Sequence, residues 1–169
     1  MAGAQERRTE RLRLRRVTAA DFPVVVALHV DPRNYTHRPD GAHTPTGADA
    51  LARRFIAQWD RDGIGYWLVE HDGDVIGVAG ITPAPLQGRP AWNLYYRFTP
   101  QARGRGLAAE ATREAVAVAA ELDPGRPVVV RTRPANVPAR RLAERLGLQR
   151  RPDLDADDGF IVYMSTPVQ

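Results

Sequence analysis

The segment best suited to chemistry is a glycine turn in the second half of the chain, Gln101-Ala102-Arg103-Gly104-Arg105-Gly106-Leu107-Ala108. It follows a predicted strand and opens a predicted helix. Glycines at such a turn let the backbone bend tightly and approach a ligand closely. The unpaired N–H groups and the positive end of the helix favour an anion, above all a phosphate. Arg103 and Arg105 can add bidentate positive charge, although the same glycines could do no more than shape the turn.

Two known phosphate motifs compete for this segment. A P-loop is excluded because no Gly-Lys-Ser/Thr follows the glycines. A dinucleotide fingerprint fits Gly104, Gly106 and Ala109, but that motif follows a first parallel strand of uniformly apolar residues. Here the preceding strand carries Asn93 and Arg97, and only one clear β-α-β unit is present. The context therefore argues against a doubly wound dinucleotide-binding domain.

The composition bounds the remaining chemistry. A chain of 169 residues, 43% hydrophobic and 26% charged, predicts one globular domain over residues 1–169, with residues 1–8 as the part expected to be disordered. There is no cysteine, which excludes disulfides and thiolate metal sites, and the four histidines lack a metal-ligand spacing, so no metal is expected. The apolar runs are too short for a bilayer and no signal peptide is visible. We therefore expect a cytoplasmic protein, monomeric or homodimeric.

The charge is unevenly distributed. All 24 basic residues are arginine; residues 101–151 carry eleven arginines and five acids, whereas residues 152–169 carry four aspartates. The basic segment indicates either an anionic ligand or a solvated face. Near the N-terminus, Arg11, Arg13 and Arg15 alternate with Leu12 and Leu14, which predicts a strand whose arginine face is solvated or, in a competing interpretation, binds nucleic acid.

Apolar periodicity and turn residues predict the elements that must position the glycine turn. The predicted strands cover about residues 11–15, 66–70, 75–81, 92–98, 128–130, 148–150 and 160–164, and the predicted helices cover about 19–30, 46–62, 107–122 and 138–146. Thr18 and Asp21 resemble a capping box before the first helix, Leu51, Phe55 and Trp59 form one apolar stripe of the second, and Asp72-Gly73 predicts a hairpin turn. The order mixes a hairpin meander with one β-α-β crossover. It predicts an α+β fold, a single three-layer α/β/α domain with a central mixed, mostly antiparallel sheet.

At this point a family resemblance emerges. Gln-x-x-Gly-x-Gly between a strand and a long helix resembles the acyl-CoA-binding motif of GNAT-family N-acetyltransferases. Residues 9–15, with Asp21, resemble the N-terminal strand and first helix of the RimJ/RimL-like branch of that family. Residues 136–148 resemble its N-x-x-[SA]-x-x-[LV]-x-[EK]-x-[LF]-G-[FL] segment. The element order matches over residues 9–165, so the resemblance covers nearly the whole chain and implies the acyl-CoA N-acyltransferase fold.

The resemblance implies that the chain is an N-acetyltransferase with acetyl-CoA (CoA) as cofactor and an amine acceptor as partner, with no nucleic-acid or membrane partner. A primary amine, of a protein N-terminus or a small molecule, would attack the thioester directly in a ternary complex. The oxyanion donor would be a backbone N–H between about Leu94 and Phe98. The implied CoA-binding residues are Phe98, Arg103, Gly104, Arg105, Gly106, Leu107, Ala108 and Asn136, the last of these on the pantetheine arm.

The expected proton-transfer groups depart from the family pattern. The family's usual tyrosine acid is replaced by Ala143, a serine of the RimL-like branch by Ala139, and a common glutamate base by Asn93. None of these replacements exchanges a proton usefully, so positioning with water as base could suffice. We predict that Tyr95, on the Asn93 face of the strand, protonates the departing thiolate, and we include both residues as catalytic candidates.

Other groups remain open as alternatives. Strand alternation puts Tyr96 on the face opposite Tyr95, but a bulge that the resemblance leads us to expect in this strand would exchange the two faces. His37 and His43 lie in a loop that flanks the acceptor site in the family, and a near-neutral pKa suits a base. The acidic turn at 153–158 would suit a cationic acceptor or be a solvated hairpin tip.

Two further function classes stay in view. The missing acid and base would also fit a non-catalytic acyl-CoA-binding module of GNAT fold. The N-terminal arginines would fit a nucleic-acid-binding domain. Release of free thiol from acetyl-CoA with an amine panel separates the first of these from an enzyme, and salt-dependent binding to DNA or RNA would support the second.

Overall fold

The computed structural model describes residues 5–38 and 40–166. Within that part of the chain, eight strands form one sheet in the order β1-β2-β3-β4-β5-β6-β8-β7, with β5 and β6 parallel and all other neighbours antiparallel. The strands are β1 Glu6–Arg8, β2 Arg13–Arg16, β3 Tyr66–His71, β4 Asp74–Pro83, β5 Trp92–Phe98, β6 Val128–Thr132, β7 Gln149–Arg150 and β8 Ile161–Met164. The α-helices are α1 Phe22–Val30, α2 Pro45–Asp62, α3 Leu107–Leu122 and α4 Val137–Arg145.

The helices cover both faces of the sheet. On one face, α1 and α2 pack Val25, Leu28 and Phe55 against Leu68 and Val78. On the other face, α3 and α4 pack their buried side chains against β4, β5 and β6. The helices contribute Leu107, Ala111, Ala115, Val118 and Ala143, and the strands contribute Ala79, Leu94 and Val130. Removing this apolar surface from water supplies the main driving force for the layered arrangement. The predicted α+β fold with a mixed sheet is confirmed.

Local signals set the ends of the elements that flank the site. Thr18 and Asp21 form the expected capping box before α1. Thr44 caps α2 by accepting a hydrogen bond from the Gly47 N–H at 3.1 Å, and Gly63 ends the helix in a left-handed conformation. The turn at Asp72-Gly73 joins β3 to β4 as predicted.

The N-terminal segment corrects one expectation. Residues 6–8 were predicted within the disordered first eight, but they form β1 and pair with β2 from Glu6–Arg15 to Arg8–Arg13. Residues 1–4 lie outside the described part of the chain. Backbone pairing with β2, together with ion pairs from Arg7 to Glu114 and Glu121 on α3, holds this segment on the sheet.

The arginines of the N-terminal hairpin are engaged with carboxylates. Each of the six arginines in residues 7–16 lies in an ion pair: Arg7, Arg8, Arg11, Arg13, Arg15 and Arg16. Arg15 is the most embedded of them, since it donates to both oxygens of Asp21 at 2.7 and 2.9 Å and to Glu70 at 2.6 Å. This internal neutralisation argues against the competing interpretation of the hairpin as a nucleic-acid surface.

Two further features are absent from residues 5–38 and 40–166. No helix there combines the length and apolarity needed to cross a membrane. No group of three or more histidine, aspartate or glutamate side chains in the same residues is arranged to hold a metal ion.

Candidate active site

The glycine turn forms an open cradle of backbone N–H groups before α3. Gly104 and Gly106 adopt φ values of +73° and +74°, which a residue with a side chain rarely adopts. A Cβ on Gly104 would meet no atom within 4 Å, and one on Gly106 would meet only Arg11 Nη2 at 3.6 Å. The N–H groups of residues 104–109 donate to no acceptor among the described residues. The turn therefore has the space and the donors to hold a phosphate group.

Three arginines lie around this cradle. Arg11 holds the turn from outside, because its Nη1 donates to the Arg105 carbonyl at 3.0 Å while its Nε donates to Glu110 at 2.7 Å. Arg105 reaches His71 Nε2 at 2.8 Å. Arg103 donates to the Arg33 carbonyl at 2.7 Å and to Asn34 Oδ1 at 3.0 Å. Arg103 and Arg105 have no carboxylate partner among the described residues, so their charge is available to an anion.

A gap opens between β5 and β6 beside the cradle. The two strands pair only at Trp92–Val128 and Asn93–Val129, although β5 continues to Phe98. The Trp92 N–H donates to the Pro127 carbonyl on the β6 side. Because backbone groups alternate in direction along a strand, the N–H groups of Tyr96 and Phe98 point the same way, into the gap. They are suitable donors for a carbonyl oxygen that gains charge.

The faces of β5 follow simple alternation. The register between β4 and β5 runs from Gly77–Phe98 to Pro83–Trp92 without a shift. The bulge expected in β5 is therefore wrong; the irregularity in this part of the sheet lies between Val69 and Glu70 of β3. As a result, Asn93, Tyr95 and Arg97 project toward α1 and α2, while Tyr96 projects toward α3 and α4.

Tyr95 is bound to a buried histidine that the sequence analysis did not select. His29, fully buried on α1, has Nδ1 2.7 Å from the Val25 carbonyl and Nε2 2.9 Å from the Tyr95 hydroxyl. Burial, together with the positive charges of Arg97 and His43, lowers the pKa of His29 to about 4. The ring is therefore neutral at pH 7. Because a carbonyl only accepts, Nδ1 carries the proton and the Tyr95 hydroxyl donates to Nε2.

Asn93 has a structural partner. Its Nδ2 donates to the Tyr66 hydroxyl at 2.9 Å, and that hydroxyl lies 3.1 Å from Thr82 Oγ1. Burial raises the pKa of Tyr66. This chain of polar groups lies beneath α2, beside Tyr95, whose ring is 5.1 Å from that of Tyr66. Asn93 thus fixes the aromatic row next to Tyr95 and has no proton to exchange.

Tyr96 differs from Tyr95 in its surroundings. It packs against the cluster that contains Ala143, the α4 position where the resemblance implies a tyrosine acid. Its hydroxyl has no hydrogen-bond partner among the described residues, and burial raises its pKa to about 12. Tyr96 therefore keeps its proton at neutral pH and does not commit it to another side chain.

Most of the remaining candidate residues make hydrogen bonds, ring contacts or ion pairs within the fold. Asn136 caps α4 by accepting from the Ala139 N–H at 3.3 Å, and Ala139 and Ala143 are buried below that cap. His43 lies over the Tyr35 ring, 5.5 Å between centroids, and burial together with Arg38 lowers its pKa. His37 is exposed. In the acidic turn, Asp153, Asp155 and Asp158 each pair with an arginine, which leaves little charge for a cationic acceptor.

The fold and the cradle together define an acyltransferase domain of the GNAT type. The family model described as an acetyltransferase (GNAT) domain matches residues 11–149. The chain therefore belongs to the GNAT acetyltransferase family, and the resemblance seen in its sequence is confirmed.

Relatives and solved structures agree with this assignment. The chain is similar to the N-acetyltransferase YjgM of Escherichia coli K12, 32% identical over 101 residues, or 56% of this chain and 57% of YjgM; the match thus spans little more than half of that relative. An acetyltransferase from Agrobacterium tumefaciens C58 superposes with a TM-score of 0.80 and 29% identity over 95% of this chain and 94% of that one. RimL, a ribosomal L7/L12 α-N-protein acetyltransferase solved with coenzyme A, has the same fold, with a TM-score of 0.72 and 15% identity over 92% and 94% of the two chains.

Proposed function

We propose that this chain is an acetyl-CoA-dependent N-acetyltransferase that acts on a primary amine, either a protein N-terminus or a small molecule. The observation that carries the proposal is the continuity between the glycine cradle and the gap beside β5. One end offers free N–H groups and arginines to phosphates, and the other offers free N–H groups to a carbonyl oxygen. We also propose that the reaction takes place in the cytoplasm, where acetyl-CoA is formed and used.

The chain's own residues fit the cofactor. The N–H groups of residues 104–108 would hold the pyrophosphate, with Arg103 and Arg105 supplying charge and Asn136 contacting the pantetheine arm. The Arg103 N–H, expected among these donors, instead donates to the Pro100 carbonyl at 3.2 Å. Phe98 would line the gap between them. When bound, acetyl-CoA supplies an activated acetyl thioester. The open face above Gly104 supports this assignment, since backbone N–H groups can approach a ligand there without a side chain between them.

The backbone of β5 would stabilise developing charge. The N–H groups of Tyr96 and Phe98 are fixed by the β4–β5 ladder, so they need no rearrangement when the carbonyl oxygen becomes negative. Such preorganised donors typically contribute about 3–4 kcal/mol to lowering a barrier. Holding the amine and the thioester together contributes several kcal/mol more.

The protons would be handled from the two faces of β5. The Tyr95 hydroxyl donates to His29, so its oxygen is directed to accept an N–H of the amine. If that oxygen takes the amine proton, the tyrosine proton moves transiently to His29 Nε2 and then to water, because a pKa of about 4 keeps the ring neutral at pH 7. Tyr96, whose hydroxyl has no described partner, is better suited than Tyr95 to protonate the thiolate. This assignment keeps Tyr95 at the reaction centre but changes the predicted direction of its proton.

The test is release of free thiol from acetyl-CoA with a panel of primary amines and N-terminal peptides, with mass spectrometry of the acceptors. We expect an added mass of one acetyl group on at least one acceptor and loss of this reaction in Gly106→Val. Micromolar CoA binding without acetylation of any acceptor would instead favour the non-catalytic acyl-CoA-binding module.

A further inference from the structure

Cationic, aromatic and polar side chains cluster on the α1–α2 side of β5, against the loop that follows α1, and we call this cluster the cationic pocket. We define this cationic pocket by six residues, Asn34, Tyr35, Arg38, His43, Tyr95 and Arg97. The Arg97 guanidinium carbon lies 4.1 Å from the Tyr35 ring centroid and 5.8 Å from that of Tyr95. The guanidinium donates to the Asn34 carbonyl through Nη1 and to the Tyr95 hydroxyl through Nε at 3.4 Å.

The charge of Arg97 is not balanced within the described part of the chain. The described partners of Arg97 are a carbonyl, a hydroxyl and two aromatic rings. No carboxylate in the described part of the chain pairs with Arg97. The arginines of the N-terminal hairpin are different, since every one has an acidic partner. A largely buried guanidinium without a counter-charge is costly, and the usual compensation at a functional site is an anionic ligand.

The groups around Arg97 add positive character rather than reduce it. The Arg38 guanidinium carbon lies 5.4 Å from the centroid of the Tyr35 ring, which Arg97 also contacts. Arg38 Nη1 lies 3.5 Å from His43 Nε2. Arg103 donates to the side-chain oxygen of Asn34, the residue whose backbone carbonyl accepts from Arg97. Asp31, the acid at the start of this loop, is committed to Arg33 through both carboxylate oxygens. An anion bound at these residues would therefore meet several cations.

A second donor points to the same place. The Tyr35 side chain is only 3% exposed, and its hydroxyl is buried without a hydrogen bond of ordinary geometry, next to the Tyr95 hydroxyl. Burial raises the pKa of Tyr35, so the hydroxyl keeps its proton. Leaving a buried hydroxyl without an acceptor is destabilising. A carboxylate or phosphate oxygen would accept from both this hydroxyl and Arg97.

We propose that the cationic pocket binds an anionic group of the acceptor, so that the acceptor is an amine that also carries a carboxylate or phosphate. This inference rests on the proposed function, because the pocket adjoins the Tyr95 oxygen assigned to the amine. The Arg97 Nε lies 3.4 Å from that Tyr95 oxygen, on the same face of the strand. The anionic group and the reacting nitrogen are therefore separated by only a few bonds, as in amino acids and phosphorylated amino alcohols.

Matched acceptors test this proposal. The pairs are β-alanine with β-alaninamide, and O-phosphoethanolamine with ethanolamine, assayed at saturating acetyl-CoA. We expect kcat/KM to be at least tenfold higher for the anionic member of one pair, the carboxylate or phosphate pair according to the group recognised. Arg97→Gln should remove this preference mainly through KM, and Arg97→Lys should restore part of it. Arg145→Gln, an exposed arginine at the end of α4 without a described acid partner, is the matched control and should keep the preference.

Three results would overturn the proposal. Equal turnover within both pairs would show that no anionic group is recognised. An equal loss of kcat for both members of a pair in Arg97→Gln would assign Arg97 to holding the loop. A loss of CoA affinity in that variant, with the acceptor preference unchanged, would assign Arg97 to the cofactor.

A binding measurement separates this proposal from the proposed function. N-acetyl-β-alanine and N-acetyl-β-alaninamide are titrated calorimetrically into the complex of the protein with CoA. We expect the carboxylate to bind at least tenfold more tightly than the amide, and that difference to disappear in Arg97→Gln. Failure of all amines to be acetylated would reject the enzyme assignment, whereas equal or absent binding of the two titrants would reject the anion pocket.

Discussion

His29 Nε2 lies 2.9 Å from the Tyr95 hydroxyl, and the opposite nitrogen of the same ring donates to the Val25 carbonyl. This pair links the first helix to the strand that lines the gap. The tautomer is fixed by the carbonyl, so the direction of the Tyr95 proton is fixed as well. In the proposed reaction, a tyrosine that donates to a buried imidazole would offer its oxygen, not its proton, to the substrate.

Replacing Tyr95 by phenylalanine is expected to slow acetyl transfer in a pH-dependent way. The ring and its packing stay, and only the hydroxyl that would accept the amine proton is deleted. The loss in kcat should be ten- to a thousandfold at pH 7 and should shrink as the pH rises past the pKa of the amine, since a neutral amine need not lose a proton before it attacks. Initial rates between pH 6 and 10, with CoA affinity within about threefold of the parent, are the measurement. A loss independent of pH would contradict this role.

Tyr96→Phe tests the other face of β5. If Tyr96 protonates the thiolate, kcat at saturating substrates should fall by roughly ten- to a thousandfold at every pH below about 10, because its pKa is raised to about 12. Leu146→Met, a substitution in the same layer that removes no proton donor, is the control. Parent-like turnover in Tyr96→Phe would leave solvent as the proton source.

Acid should destabilise the protein through His29. The folded-state pKa is about 4 against an ordinary 6.5, so between these values the unfolded chain binds more protons. Stability is therefore complete above pH 6.5 and falls as the pH drops toward 4, by roughly 3 kcal/mol for this group. Urea unfolding at pH 7.5 and 4.5 measures the change. His29→Gln cannot titrate and should show a clearly smaller loss, the remainder coming from groups such as His43; an identical loss in both proteins would reject the assignment.

Gly106→Val is expected to abolish CoA binding that is otherwise micromolar, roughly −8 kcal/mol. A β-branched residue at φ +74° is strained, and its side chain would occupy the space over the N–H groups. Gly147→Val is a matched control, since it has φ +79° and open space around its Cβ but lies after α4. Calorimetry should find CoA binding in the control at a similar cost in Tm. Unchanged affinity in folded Gly106→Val would remove the central claim of the cofactor site.

Arg103→Ala should weaken CoA more than dephospho-CoA if this arginine meets the ribose phosphate. Its guanidinium has two described acceptors, the Arg33 carbonyl and Asn34 Oδ1, which leaves donors for a phosphate. Calorimetric titration of both ligands into the parent and the variant gives the comparison. Equal losses for the two ligands would place Arg103 elsewhere on the cofactor.

The sequence predicted the elements well where local rules decide. The Leu51, Phe55 and Trp59 stripe predicted α2 because four-residue spacing places one apolar face on the core, and all three are buried. Asp72-Gly73 predicted its hairpin because both residues take positive φ in the tight turn. Glu6–Arg8 was missed because three charged residues have no apolar alternation; the strand exists through pairing and ion pairs that arise only in the folded molecule.

The parts of the site formed by neighbouring residues could be predicted from the sequence, whereas the contacts between distant segments could not. Gly104 and Gly106 predict an anion-binding turn from their local sequence, since they lie between a strand and a helix. His29, Tyr35 and Arg97 were missed because they meet only when α1 and its following loop pack on β5, 60 or more residues away. The polar alternation of Asn93, Tyr95 and Arg97 was a usable signal, because three polar groups on one strand face require partners once buried.

The two residue pairs between β5 and β6 also form a weak line in the sheet, here called the seam. Everything beyond the seam, from β6 to β8, is joined to the rest of the sheet by the shortest stretch of backbone pairing between long strands. A ligand with amide groups in the gap would join β5 to β6, because it could form hydrogen bonds with backbone atoms on both sides. Opening of the sheet and loss of the ligand then become one event, so amide exchange on β6 and β8 should slow when CoA is bound.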